Sequence, residues 1–184
     1  MERRSFLKMV FGGTILAGLF GFGKSEAEEL IRPPGALDED VFLATCSRCG
    51  KCAEICTAGC IKIARGDKGV AIGTPYIEPV EESCVLCLKC TEVCPTGALK
   101  KIARSEVKMG LASIDYDICL ARKDEDCRVC HANCPEYNKA IYLEDNKYPA
   151  INPDYCTGCG NCEKVCVAAP RKAATVQPIK RPLE

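Results

Sequence analysis

Four closely spaced thiols, repeated four times, constrain this chain more than any other feature. The sets are Cys46, Cys49, Cys52 and Cys56; Cys84, Cys87, Cys90 and Cys94; Cys119, Cys127, Cys130 and Cys134; and Cys156, Cys159, Cys162 and Cys166. They start 38, 35 and 37 residues apart and take in 16 of the 17 cysteines. Three follow C-x2-C-x2-C-x3-C without change. The third carries five extra residues between its first two cysteines, including Lys123, Asp124, Glu125 and Asp126, which read as a solvated loop.

This spacing is the bacterial ferredoxin run for a [4Fe–4S] cluster. Three close cysteines wrap one face of a cube, and their loop amides can point at sulfur. The fourth sits a helical turn further on and ligates the other cluster of a pair. Four sets therefore imply two pairs and four [4Fe–4S] clusters. A zinc ribbon uses two separated C-x2-C knuckles and leaves the third and fourth cysteines unexplained. A disulfide framework or a lone redox dithiol does not explain four sets in register.

The composition agrees. Large apolar residues are thin and Trp is absent, so something besides an ordinary core must hold the fold. Lys+Arg and Asp+Glu stand at 25 each, giving no basic footprint for nucleic acid. Residues 1–27 hold four Lys/Arg and two Asp/Glu, leaving the remainder at net −2 before any cluster charge is added.

Residues 1–27 read as a twin-arginine signal peptide. "RRSFLK" (Arg3 to Lys8) matches the export pattern, with Glu2 just before the arginines. The uncharged run Met9–Gly23 is short of the roughly 20 residues of a membrane span, and Ser25-Glu26-Ala27 suits cleavage. That route carries folded proteins, so a cofactor can be installed in a reducing compartment before the thiols meet an oxidising one. The sequence reading thus places the mature chain in the periplasm. Residues 28–45 read as a linker with a short helix, and 46–184 as the four-cluster domain.

Strand-like segments follow each fourth cysteine: Gly59–Gly66, Gly97–Arg104, Lys139–Asn146 and Lys172–Pro178. Tyr76, Ile114 and Ile151 lie in segments that lead into the next set. The alternation predicts an α+β fold of two ferredoxin-like units, each holding two [4Fe–4S] clusters. Cys60 aligns with Ala98 of the next repeat and reads as a buried spare thiol. His131 reads as a surface or hydrogen-bonding residue. Tyr116 and Tyr155 read as cover for the clusters. Arg171, Lys172, Lys180 and Arg181 read as a solvated basic end.

Two pairings of the sets are open: first with second and third with fourth, or a nested scheme. Pro95 and Pro135 follow the last cysteine of the second and third sets, where Thr57 and Val167 stand in the others. This shared chemistry favours nesting. The inner unit then spans motifs 84–134, and motifs 46–56 and 156–166 form the outer unit. Cys46, Cys49, Cys52 and Cys166 would share one cube, and Cys156, Cys159, Cys162 and Cys56 its neighbour. Cys84, Cys87, Cys90 with Cys134, and Cys119, Cys127, Cys130 with Cys94, would form the middle pair.

With "RRSFLK", the four sets, "MGLASIDYDICL" (Met109 to Leu120) and "CTGCGNCEKVCVAAPRKAA" (Cys156 to Ala174), the chain resembles periplasmic ferredoxin-type proteins of the NapG/MauM kind. These fall among iron–sulfur proteins similar to the dimethyl sulfoxide reductase β-subunit, a resemblance that also implies nesting. It implies an electron-transfer subunit with no substrate site of its own. Its partners would be a membrane quinol-oxidising protein and a periplasmic electron acceptor, such as nitrate reductase or a methylamine-utilisation system. Two other readings stand beside it: the electron-transfer subunit of a molybdopterin oxidoreductase, and a maturation protein that holds clusters without turnover.

Overall fold

The structure, a computed structural model, describes residues 29–179. The export pattern in residues 1–27 lies outside them, as do Lys180 and Arg181. Among the described residues there are five short α-helices: α1 (Glu39–Thr45), α2 (Lys51–Glu54), α3 (Lys89–Glu92), α4 (Val129–Ala132) and α5 (Asn161–Val165). Six strands accompany them: β1 (Ile61–Ile63), β2 (Pro75–Ile77), β3 (Gly110–Ile114), β4 (Ile141–Glu144), β5 (Tyr148–Ile151) and β6 (Ala174–Pro178). These helices and small antiparallel sheets are compatible with the α+β reading.

Among the described residues the strands pair as three two-stranded antiparallel sheets. β1 runs against β2 with Ile61 opposite Ile77. β4 runs against β5 with Ile141 opposite Ile151. β3 runs against β6 with Gly110 opposite Pro178 and Ile114 opposite Ala174. Three of the four predicted segments therefore hold a strand. Gly97–Arg104 does not: Leu99 makes only an isolated bridge to Ala36, flanked by Leu37 N–H to Ala98 O at 3.1 Å and Lys100 N–H to Gly35 O at 2.7 Å.

One rule covers both halves. The segment leading into a unit's first set pairs with the segment leaving its second set, as Ala36 does with Leu99 and β3 with β6. The segment leaving the first set pairs with that entering the second, as β1 does with β2 and β4 with β5. This topology closes sets one and two into one unit and sets three and four into another. It overturns nesting, because β3 is committed to β6 and cannot bring the third set onto the second.

The segment expected to be a linker is built into the first unit. Phe42 on α1 is fully buried, and so are Pro33 and Pro34. Arg32 is buried beside them and grips Glu39 with both arms, Nε–Oε2 at 2.9 Å and Nη2–Oε1 at 2.5 Å. Its Nη1 donates to Thr74 Oγ1 at 2.9 Å and to Pro75 O at 2.8 Å, and its guanidinium lies 4.8 Å from the Phe42 ring centroid. A buried guanidinium is tolerable only with such a carboxylate and filled donors.

The cores differ between the units. The first unit buries Ile31, Phe42, Ile77, Leu99, Val107 and Met109 with its cysteines. The hydrophobic clusters of the second bury only alanines, Ile141 and cysteines. Apolar burial therefore stabilises the first unit far more than the second. Among the described residues no helix is long and apolar enough to cross a membrane.

Candidate metal centres

Three of the four cysteine loops are shaped by left-handed backbone at two fixed places, the third set having only Asp124 in its insertion. The places are Arg48 and Gly50 in the first set, Leu86 and Leu88 in the second, and Gly158 and Gly160 in the fourth. Such alternation curls the chain and turns successive amides to one side, a concavity suited to anions and iron–sulfur groups. Gly50, Leu88 and Gly160 also cap α2, α3 and α5. Leucine rarely adopts φ near +60°, so Leu86 and Leu88 carry strain that sequence reading could not foresee. At Gly158 a side chain is barred outright, since a Cβ would meet Gly110 N at 2.2 Å.

The loops gather the thiols into four groups. Cys46, Cys49, Cys52 and Cys94 line one cavity, with Phe42, Pro95 and Ala98 on its wall. Cys134, Cys156, Cys159 and Cys162 line a second, beside Pro135 and Ala140. Cys119, Cys127, Cys130 and Cys166 line a third, beside Val167 and Ala173. The remaining thiols cluster around Cys90, which is pushed up to about 12 by burial and then by Cys84, Cys52, Cys87 and Cys56. Among the described residues no three His, Cys, Asp or Glu side chains converge as a single metal ion would require; the thiols ring voids instead.

This grouping corrects the nested scheme at every exchanged ligand. Cys166 sits with Cys119 rather than Cys46, and Cys94 sits with Cys46 rather than Cys119. Cys134 sits with Cys156 rather than Cys84, and Cys56 lies near Cys84 and Cys90. The prolines misled because each marks one cavity edge per unit: Pro95 borders the Cys46 cavity and Pro135 the Cys156 cavity.

Burial and mutual repulsion disfavour bare thiolates in these cavities. Burial, followed by the nearby Cys46 and Cys49 among other influences, pushes Cys52 up to about 11. Burial and then Cys119 do the same to Cys130, also to about 11. Four thiolates in one dry cavity repel each other and lack water, so iron is needed to hold them ionised. Some amides already aim at sulfur. Leu86 N–H lies 3.4 Å from Cys84 Sγ, Leu99 N–H 3.4 Å from Cys94 Sγ, and Ala112 N–H 3.5 Å from Cys156 Sγ. The donor set and the cavities fit iron–sulfur cubes held by four thiolates each.

The four groups form a row. Cys90 of the Cys84 group feels Cys52 of the Cys46 group. The amide of Cys84 donates to the carbonyl of Cys159 at 2.9 Å, joining the two units loop to loop. Ser83 Oγ donates to Asn161 Oδ1 at 2.9 Å across the same seam. Cys162 feels Cys130 of the Cys119 group. The order is Cys46 group, Cys84 group, Cys156 group, Cys119 group. Cys49 and Cys87 are the exposed cysteines.

The smaller features resolve individually. Cys60 is buried, with its Sγ 3.5 Å from Cys56 Sγ. His131 is buried and hydrogen-bonded through Nε2 to Asn138 Oδ1 at 2.6 Å. Tyr116 and Tyr155 are exposed, which corrects their expected role as cluster cover. Arg122 stacks on Tyr116 at 4.5 Å and on Tyr148 at 4.2 Å. Lys123, Asp124, Glu125 and Asp126 are exposed, as a solvated insertion should be. Arg171 pairs with Asp115 at 2.9 Å, and Lys172 Nζ donates to Cys166 O at 2.5 Å. Lys108, unremarked in the sequence, extends Nζ to the carbonyls of Pro153, Asp154 and Cys156 and braces the fourth set's loop.

Paired cysteine loops closed by short antiparallel strands define a two-unit iron–sulfur protein, and the 4Fe-4S dicluster domain family matches residues 45–98 and 125–169. The two matched stretches correspond to the two units. The chain is 37% identical over 187 residues to ferredoxin-type protein NapG of Escherichia coli, covering 90% of this chain and 81% of the relative. It is 39% identical over 176 residues to the methylamine utilization ferredoxin-type protein MauM of Methylorubrum extorquens, covering 85% and 79%. Ferredoxin-type protein NapF of Haemophilus influenzae is 34% identical over 154 residues, covering 82% and 81%. The chain belongs to the NapG/MauM family of ferredoxin-type proteins.

Proposed function

We propose that this chain is an exported electron-transfer protein that holds four [4Fe–4S] clusters and has no substrate site of its own. Electrons enter from a membrane quinol-oxidising protein and leave toward a periplasmic reductase. The ligand sets in this reading are Cys46, Cys49, Cys52 and Cys94; Cys84, Cys87, Cys90 and Cys56; Cys156, Cys159, Cys162 and Cys134; and Cys119, Cys127, Cys130 and Cys166. The clusters supply reversible one-electron storage. The chain spaces them, shields them from water and tunes them through amides aimed at sulfur.

The observation that carries the reading is the row of four thiol groups joined at the Cys84–Cys159 hydrogen bond. A protein that only stores clusters gains nothing from a row; a carrier does. The NapG and MauM relatives support the ferredoxin-type class, and the twin-arginine pattern supports export.

Iron and sulfide assays on anaerobically prepared protein test the cofactor, with about 16 iron atoms per chain expected, four per cube. Two clusters or fewer after careful reconstitution, or stoichiometric zinc, would overturn it. For the route, Arg3→Lys with Arg4→Lys should strand folded, brown protein in the cytoplasm. Normal export of that variant would defeat the twin-arginine assignment. Capture of membrane and periplasmic partners from the native cell, followed by reduction with a quinol, tests the direction of flow.

A further inference from the structure

Three of the four thiol groups have an alanine at one repeated place. Ala98 lies beyond Cys94 and lines the Cys46 cavity. Ala140 lies beyond Cys134 and lines the Cys156 cavity, and Ala173 lies beyond Cys166 and lines the Cys119 cavity. All three are buried just ahead of a strand or bridge. At the matching place beyond Cys56 stands Cys60, only 2% exposed. Its Sγ lies 3.5 Å from Cys56 Sγ, and the Cys84 thiol is also a neighbour. Cys56 and Cys84 are ligands of the same proposed cube. A fifth sulfur therefore faces this one group, where each of the other three has a methyl.

Iron binds thiolates, so Cys56 and Cys84 carry no proton once loaded. Cys60 is then the member of the trio that keeps its S–H, and it donates. The four corners of a cube are already filled by Cys84, Cys87, Cys90 and Cys56, which leaves no corner for a fifth ligand. Reduction adds negative charge that spreads onto the ligand sulfurs, and a donor aimed at them stabilises that state. We propose that Cys60 is a positioning residue that raises the reduction potential of the Cys84 centre above the value an alanine would give. This rests on the cluster assignment above. The centre adjoins the seam between units, so Cys60 sets the height of the step an electron meets there.

The test uses anaerobic holoprotein of the parent, Cys60→Ala, Cys60→Ser and Ala98→Cys. Iron and sulfide content comes first: a parent without clusters would sink the cluster assignment, a different failure from the one at issue. Redox titration followed by electron paramagnetic resonance comes next. Cys60→Ala should keep all its iron while one midpoint falls. A tenfold change in the reduced-to-oxidised ratio at fixed potential, about 59 mV for one electron, is the expected scale. Cys60→Ser keeps a donor and should restore part of the shift. Ala98→Cys should raise the midpoint of the Cys46 centre. Unmoved midpoints in Cys60→Ala overturn the proposal, and so does loss of one cluster, which would make Cys60 a ligand. If Cys60→Ala fails to accumulate, Ala98→Cys decides, with an unmoved Cys46 midpoint as the overturning result.

Discussion

Cys166 shares its cavity with Cys119, although the two lie 47 positions apart and the Cys46 set offers the uninterrupted spacing. Strand pairing accounts for the choice. β3 delivers the third set, β6 leaves the fourth, and their register from Gly110–Pro178 to Ile114–Ala174 holds the two sets together.

Cys166→Ser should therefore perturb the centre of Cys119, Cys127 and Cys130 and leave that of Cys46 intact. Cys94→Ser should do the reverse. Electron paramagnetic resonance of the reduced variants reads this directly, and loss of the Cys46 signal in Cys166→Ser would reinstate nesting.

Gly158→Ala should be among the most damaging substitutions outside the cysteines. Left-handed backbone costs a non-glycine residue about 1–3 kcal/mol, and the new Cβ would press on Gly110 N at 2.2 Å. A fall in thermal stability with loss of the Cys156 centre is expected. Gly59→Ala, where a Cβ meets nothing within 4 Å, should show the backbone cost alone.

Phe42→Ala should destabilise the first unit by about 3–5 kcal/mol, the usual cost of emptying a buried aromatic site. Phe42 also walls the Cys46 cavity. Faster bleaching of that centre in air, with the Cys119 centre unaffected, should accompany the loss.

Iron removal should not affect the units equally. Anaerobic chelation should expose the amides of β4, β5 and β6 to hydrogen exchange before those around Ile31 and Ile77. The second unit buries mostly alanine and cysteine around its thiols, whereas the first retains Phe42, Leu99 and Val107. Simultaneous loss of protection in both units would contradict this account.

The repeats, the spare thiol at Cys60 and three strand positions were legible in the sequence because each depends on local pattern. Which sets meet was not, since that depends on strands far apart in the chain, and the proline cue at Pro95 and Pro135 reports local backbone. Leu86 and Leu88 gave no warning of φ near +60°, because leucine is not a residue that signals it. The stretch around Arg32-Pro33-Pro34 looked like a spacer. Its role appears only when Thr74 and Pro75 arrive to receive the guanidinium.

The closing contacts of the two units also set a timetable for biosynthesis. The first unit has all its pairing partners once Lys100 has bonded to Gly35. The second lacks β6, its sealing strand, until Pro178 has left the ribosome. A nascent chain thus presents one complete pair of cysteine loops to the cell's cluster-loading machinery while the other is still open, and the amino-terminal half can be filled first.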